Sequence, residues 1–143
     1  MQKQAIIQVI GTQAYSEGKD DRMDFMTLGT FHKREDTYYI IYRETEVTGM
    51  AGVTTSLKIE AEKVILNRMG AANYKLIFEL ATLNHAVYVT PHGSLYLGVY
   101  TQEMEIHLTE QGGHITLKYN LFADDDLVSQ NTLRIMIKED APQ

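Results

Sequence analysis

Cysteine is absent from the 143 residues. That one absence excludes disulfide scaffolds, cysteine nucleophiles and thiolate metal sites together. Long apolar runs are missing too, and nothing approaches the ~18 consecutive apolar residues of a membrane-spanning helix. Near the start, Ala5-Ile6-Ile7-Gln8-Val9-Ile10 is broken by Gln8, whereas a secretory signal needs an unbroken apolar stretch of roughly 7–15 residues. A leading strand is the better reading, and the expectation is a cytoplasmic protein with no membrane association. Basic charge is scarce: Lys and Arg total 13 against 19 Asp and Glu, a formal net charge of −6. With no basic stripe to oppose it, a negative surface repels phosphate backbones, so no nucleic-acid partner is expected. The nine tyrosines suit half-buried strands better than base stacking.

Catalytic motifs are also lacking. There is no Gly-x-x-x-x-Gly-Lys-[Ser/Thr] phosphate loop. Gly93-Ser94 stands between Pro91 and a strand, not in the strand-to-helix elbow of a serine hydrolase. Asp20-Asp21 and Asp124-Asp125-Asp126 lack the glycine and glutamate that calcium loops place at positions six and twelve. No catalytic residue and no cofactor are therefore expected. Five histidines, His32, His85, His92, His107 and His114, raise the question of a metal. If the turn Glu110–Gly113 sets the register of its hairpin, His114 falls opposite Thr109 and His107 opposite Thr116. The two are then diagonal neighbours on the outer face, with no third ligand fixed beside them, and no metal site is expected.

What the sequence does contain is period-two alternation punctuated by turns, the signature of half-buried strands. Strands are predicted over Ala5–Tyr15, Asp24–Lys33, Thr37–Glu46, Val53–Ile59, Tyr74–Leu80 and Val87–Thr90. A long strand over Gly93–Thr109 and two more around Ile115–Leu121 and Leu133–Ile137 follow. Ser16–Arg22 and Thr82–His85 read as loops. Between Lys58 and Ala72 two strands with a turn near Glu60–Glu62 are favoured over a helix, because Val64, Leu66 and Arg68 alternate with Lys63, Ile65 and Asn67. Within Gly93–Thr109 the apolar parity shifts from Leu95/Leu97/Val99 to Met104/Ile106/Leu108, which predicts a bulge near Gly98 or Gln102-Glu103. The continuous run Tyr38–Tyr42 predicts a strand covered on both faces. A chain of this length fits one domain, and nine or ten strands with short turns predict a single all-β domain over 1–143. An antiparallel barrel abolishes strand edges and is preferred to a two-sheet sandwich.

Parity also places polar residues inside. Arg68 shares its face with Val64 and Leu66, so it needs an anionic partner. Glu44, on the face of Tyr38, Ile40 and Tyr42, is the first choice, with Glu46 and Glu79 as alternatives. Tyr42, Tyr88 and Tyr119 need partners for their hydroxyls.

The segment Tyr42-Arg43-Glu44-Thr45-Glu46-Val47-Thr48-Gly49-Met50-Ala51-Gly52-Val53, continuing to Ile59, resembles the signature of the YwiB-like family, uncharacterised small β-barrels of Gram-positive bacteria. Leu66-Asn67-Arg68-Met69-Gly70, Val89-Thr90-Pro91-His92-Gly93, Gly112-Gly113 and Asn131-Thr132-Leu133-Arg134-Ile135 follow in matching order. The resemblance covers the whole chain. It implies a barrel related in shape to lipocalins and other calycins, and it carries no established activity. His92 stands where the family pattern suggests an aromatic residue, which speaks against a catalytic histidine.

The expectation for function is a non-enzymatic binding module with a small, partly apolar or amphipathic ligand in the barrel. Its site would comprise Tyr42, Glu44, Gly49, Met50, Arg68, Tyr88, Thr90, His92 and Tyr119, with the glycines of the mouth loops allowing close backbone approach. The alternatives are an interaction or homodimer module using Ile65, Met69, Ile77, Tyr96 and Tyr100 on the outer face, and an enzyme using Glu44, Arg68 and Tyr88 or Tyr119.

Overall fold

The alternation resolves into ten antiparallel strands in the computed structural model, which describes residues 3–15, 18, 20–44, 52–70, 73–90 and 92–140. They are β1 (Lys3–Tyr15), β2 (Asp20–Arg34), β3 (Thr37–Arg43), β4 (Val53–Ile59), β5 (Lys63–Gly70), β6 (Tyr74–Glu79), β7 (Leu83–Thr90), β8 (Gly93–Thr109), β9 (Gly112–Ala123) and β10 (Asp126–Glu139). The sheet order is β6-β5-β4-β3-β2-β1-β10-β9-β8-β7. Each strand thus lies beside its sequence neighbour, and the first strand pairs with the last along Ala5↔Glu139 to Tyr15↔Ser129. The result is a nearly closed up-and-down barrel.

Its seam lies in mid-chain. Among the described residues, β6 and β7 are the consecutive strands that share no ladder. The seam is pinned near its turn, where the Ala81 N–H donates to the Thr101 carbonyl at 2.8 Å and Leu80 forms a parallel bridge with Thr101.

In such a meander the connections alternate between the two barrel ends. The turns at Glu35-Asp36, Glu60–Glu62, Leu80–Thr82 and Glu110-Gln111 share one end with both chain termini, here called the terminal end. The connections β1–β2, β3–β4, β5–β6, β7–β8 and β9–β10 share the far end.

Inward parity supplies the core. Ile7, Phe31, Ile40, Leu57, Ile59, Val64, Phe78, Ile115, Leu117, Ile135 and Ile137 are buried in one cluster, each contributing about 1.5–3 kcal/mol of transfer free energy. Gly29 is required where β2 coils against its neighbours. A Cβ there would stand 2.4 Å from the Ile41 carbonyl oxygen and 2.5 Å from Ile7 Cδ1.

Lys58-Ile59 ends β4 and Lys63–Gly70 forms β5, with the turn at Glu60–Glu62, as the alternation predicts. Other sequence expectations need correction. The segment Asp20–Arg22 belongs to β2, and Leu83–His85 belongs to β7 instead of a loop. There the strand is set by its pairing with β8, Leu83↔Tyr100 and His85↔Gly98, which local polarity does not reveal. Tyr38–Tyr42 is covered on one face only: Ile40 and Tyr42 are buried, while Ile41 is exposed on the outside. The β8 bulge lies between Thr101 and Glu103, where the parity shift placed it.

Candidate functional site

Strand pairing assembles a polar row at the far end. Tyr74↔Arg68, Arg68↔Thr55, Thr55↔Tyr42 and Tyr42↔Gly29 are successive cross-strand partners from β6 to β2. Residues directly opposite on one sheet face come within about 4.5–5.5 Å at Cβ, so the row brings these side chains together. Arg68 Nη2 lies 3.4 Å from Glu44 Oε1, and the two side chains are only 15% and 1% exposed. Arg68 Nε donates to Thr55 Oγ1 at 3.3 Å, and the Thr55 hydroxyl donates to Glu44 Oε1 at 2.6 Å. Arg68 Nη1 donates to the Tyr74 hydroxyl, with the guanidinium carbon 5.4 Å from the Tyr74 ring centre. Glu44 is held by its own backbone, whose N–H donates to the Val53 carbonyl at 2.8 Å.

These contacts set the ionisation of the site. Burial pulls the Arg68 pKa down, but the facing Tyr74, Glu44 and Tyr42 outweigh it and hold it above its ordinary value. The guanidinium stays charged. Burial, reinforced by the neighbouring Glu44, pushes the Tyr42 hydroxyl well above the usual phenol range, against a smaller opposing pull from Arg68. Burial likewise pushes Tyr119 up to about 12, with Arg68 opposing. Both phenols are neutral at physiological pH.

A second polar row crosses the opposite wall. Thr101↔Tyr119, Tyr119↔Asn131 and Asn131↔Gln13 are successive partners from β8 to β1. Thr101 Oγ1, Ser129 Oγ, both polar atoms of the Asn131 side chain, and Glu44 Oε2 are buried with no hydrogen-bond partner among the described residues. Buried polar groups are costly when unpaired, and these five atoms carry that cost, as His32 Nδ1 and Asn120 Oδ1 do elsewhere. Between the two rows opens a pocket of about 450 Å³, with Leu66, Arg68, Leu76, Tyr119 and Leu133 toward the interior and Gln13, Arg22 and Asp24 at its rim. That volume lies within the roughly 300–1,000 Å³ of small-molecule sites.

Of the residues expected from the sequence, Tyr42, Glu44 and Arg68 come together, and Glu44 is the partner of Arg68. Tyr119 lines the same pocket as Arg68, and Tyr88 joins through Tyr74, ring centres 4.9 Å apart. Gly49 and Met50 lie outside the described residues, as do Glu46 and the Thr90 side chain. His92 is exposed at the β7–β8 connection of the same end. Glu79 sits at the terminal end of β6, where it accepts a bond from Asn84 at 3.4 Å. Thr55, Tyr74, Thr101, Ser129 and Asn131 were missed. Thr55 was legible from its parity with Val53 and Leu57. Asn131 and Ser129 share the inward parity of Leu133, Ile135 and Ile137 and were legible in the same way, since the register shift of β10 lies before Ser129.

Comparison with known proteins agrees with this architecture. The uncharacterised β-barrel protein YwiB of Bacillus subtilis (strain 168) is 26% identical over 110 residues, covering 77% of this chain and 76% of that protein. The crystal structure of the ywiB protein from Bacillus subtilis superposes with a TM-score of 0.86 at 20% identity, covering 98% of this chain and 94% of that one, a likeness that establishes the fold. The family described as Domain of unknown function (DUF1934) matches residues 7–135, and this ten-stranded barrel belongs to that family.

Proposed function

We propose that the protein is a non-enzymatic binding module whose far-end pocket takes a small amphipathic molecule. The observation that carries this reading is the pocket itself, with Arg68 on one wall and Tyr119 on the other. A guanidinium has five N–H donors, and the contacts to Glu44, Thr55 and Tyr74 use three of them. The remaining two suit a carbonyl or carboxylate oxygen on the ligand's polar end, while Leu66, Leu76 and Leu133 suit an apolar body. Native mass spectrometry of freshly purified protein, with displacement of a fluorescent fatty-acid probe, tests this. A bound small molecule, or saturable probe binding that weakens at least about tenfold in Arg68→Met/Glu44→Gln, is the expected result. A protein that carries no adduct and binds no probe would sink the reading.

A second reading, a homodimer, is favoured by the seam. β7 forms no ladder with β6, and its sequence Leu83–Thr90 carries no Lys, Arg, Asp or Glu, the residues that usually guard an edge strand. Its outer face exposes Leu83 (48%), Val87 (53%) and Val89 (67%), with Tyr96 (45%) on the neighbouring strand. Ile65 and Ile77, directly opposite one another on β5 and β6, lie on the other side of the seam. Antiparallel pairing of two β7 strands would cover these residues. Light scattering coupled to size exclusion should report a dimer that Val87→Lys converts to monomer, and a monomeric wild type at 100 μM, roughly the range of weak association, would remove this reading.

A further inference from the structure

The β8–β9 hairpin differs from its sequence expectation in one respect with chemical consequences. The turn has two residues, Glu110 and Gln111, so the register runs Thr109↔Gly112, Leu108↔Gly113 and His107↔His114. The histidines are directly opposite, not diagonal, with ring centres 4.9 Å apart and planes inclined at 46°. Gly112 and Gly113 fix this register. Their φ angles of +129° and +143° are ones that L side chains rarely adopt, and a Cβ on Gly113 would stand 1.9 Å from the His107 carbonyl oxygen. The same pairing places Glu105 opposite Thr116. Glu105 is two residues before His107 and therefore on the same outer face.

We infer that Glu105, His107 and His114 bind a divalent transition-metal ion, Zn²⁺ by the chemistry of the donors, on the outer wall of the barrel. One donor atom from each lies within 4.8 Å of the other two. A tetrahedral ion with bonds of about 2.0–2.1 Å holds its ligands roughly 3.3–3.4 Å apart. Small rotations of the side chains close that difference. Glu105 and His107 are exposed and His114 is half-buried, and among the described residues no hydrogen bond or ion pair restrains any of the three. Two imidazoles and one carboxylate are a set that Zn²⁺ accepts with a water in the fourth position, and that hard ions such as Mg²⁺ do not favour. The surroundings favour a cation: Glu105 and His107 form one wall of an outer groove at the seam, whose other walls carry Glu60, Glu62 and Glu79 against Lys63. The site is at the terminal end and outside the barrel, so it is independent of the far-end pocket.

Calorimetric titration of tag-free, chelator-treated protein with ZnCl₂ tests the site. One ion per chain is expected to bind. His114→Ala or His107→Ala should weaken it at least about tenfold, of the order seen when a metal site loses a supporting interaction, while His85→Ala leaves it unchanged. Circular dichroism of each variant separates loss of ligands from loss of fold, which surface positions should not cause. No heat up to 1 mM ZnCl₂, a concentration corresponding to roughly −4 kcal/mol, would overturn the inference. Undiminished 1:1 binding in His114→Ala would overturn it equally.

Discussion

The two ends of this barrel are made from the same alternating strands, yet they solve the problem of closure in opposite ways. At the terminal end the inward positions are Phe31, Ile59, Val64, Phe78 and Ile137, all buried. Tyr38 stacks on Phe31 with ring centres 5.7 Å apart and donates its hydroxyl to the Leu108 carbonyl at 3.1 Å. At the far end the equivalent layer holds Arg68, Glu44, Thr55 and Tyr42 on one wall and Tyr119 and Asn131 on the other. Apolar closure is stabilising and chemically silent. Polar closure adds little net stability, because desolvating an ion pair offsets most of its attraction, but it leaves directed donors and acceptors in a sheltered place. Apolar packing is thus concentrated at one end and buried polar groups at the other.

The sharpest way to break this comparison is to damage each end in turn. Phe78→Ala should cost about 3–5 kcal/mol from lost transfer energy and the cavity left behind, read as a lower denaturation midpoint in urea. Arg68→Met alone should cost a comparable ~3–5 kcal/mol, because it strands the Glu44 carboxylate. The double variant Arg68→Met/Glu44→Gln should recover most of that loss, whereas no second polar-to-apolar change rescues Phe78→Ala. A double variant as unstable as the single one would mean that the far end, too, is chiefly a structural closure.

Alkaline titration sharpens the same contrast more gently. Tyr119 is held neutral by burial, its folded pKa of about 12 standing above the ordinary value of 10.0. Its stabilising contribution is fully present below pH 10 and is lost as pH rises toward 12, amounting to about 2 kcal/mol. Tyrosinate absorbance and unfolding followed together should place the loss in that window, and Tyr119→Phe should remove this component. The smallest effect belongs to the outer wall. Lys118 and Glu103, 3.5 Å apart with side chains 50% and 62% exposed, form a solvent-screened pair, so Lys118→Ala should change stability by less than about 1 kcal/mol.

Much of this was legible without coordinates. The single alternating parity of Val53–Ile59 and Tyr74–Glu79 gave both the strand and the buried face, since a side chain two residues on returns to the same side of a sheet. Arg68 was recognisable as interior for the same reason, and Glu44 as its partner. Leu83–His85 was not recognisable as strand, because a polar, part-exposed edge is defined by the neighbour it pairs with. The histidine pair was misplaced by one register step, because the extent of the turn at Glu110-Gln111 decides which residues face each other.

The sequence by itself determined that this chain is built of antiparallel strands and which side chains point inward, because periodicity is a local property. Only the tertiary structure decided that Arg68, Leu76 and Tyr119 line one pocket, that the strands close into a barrel with its seam between β6 and β7, and that Glu105, His107 and His114 converge. Each of these depends on how far one strand slides past the next, and that offset is fixed by hydrogen-bonded pairing across the whole barrel instead of by any short stretch of chain.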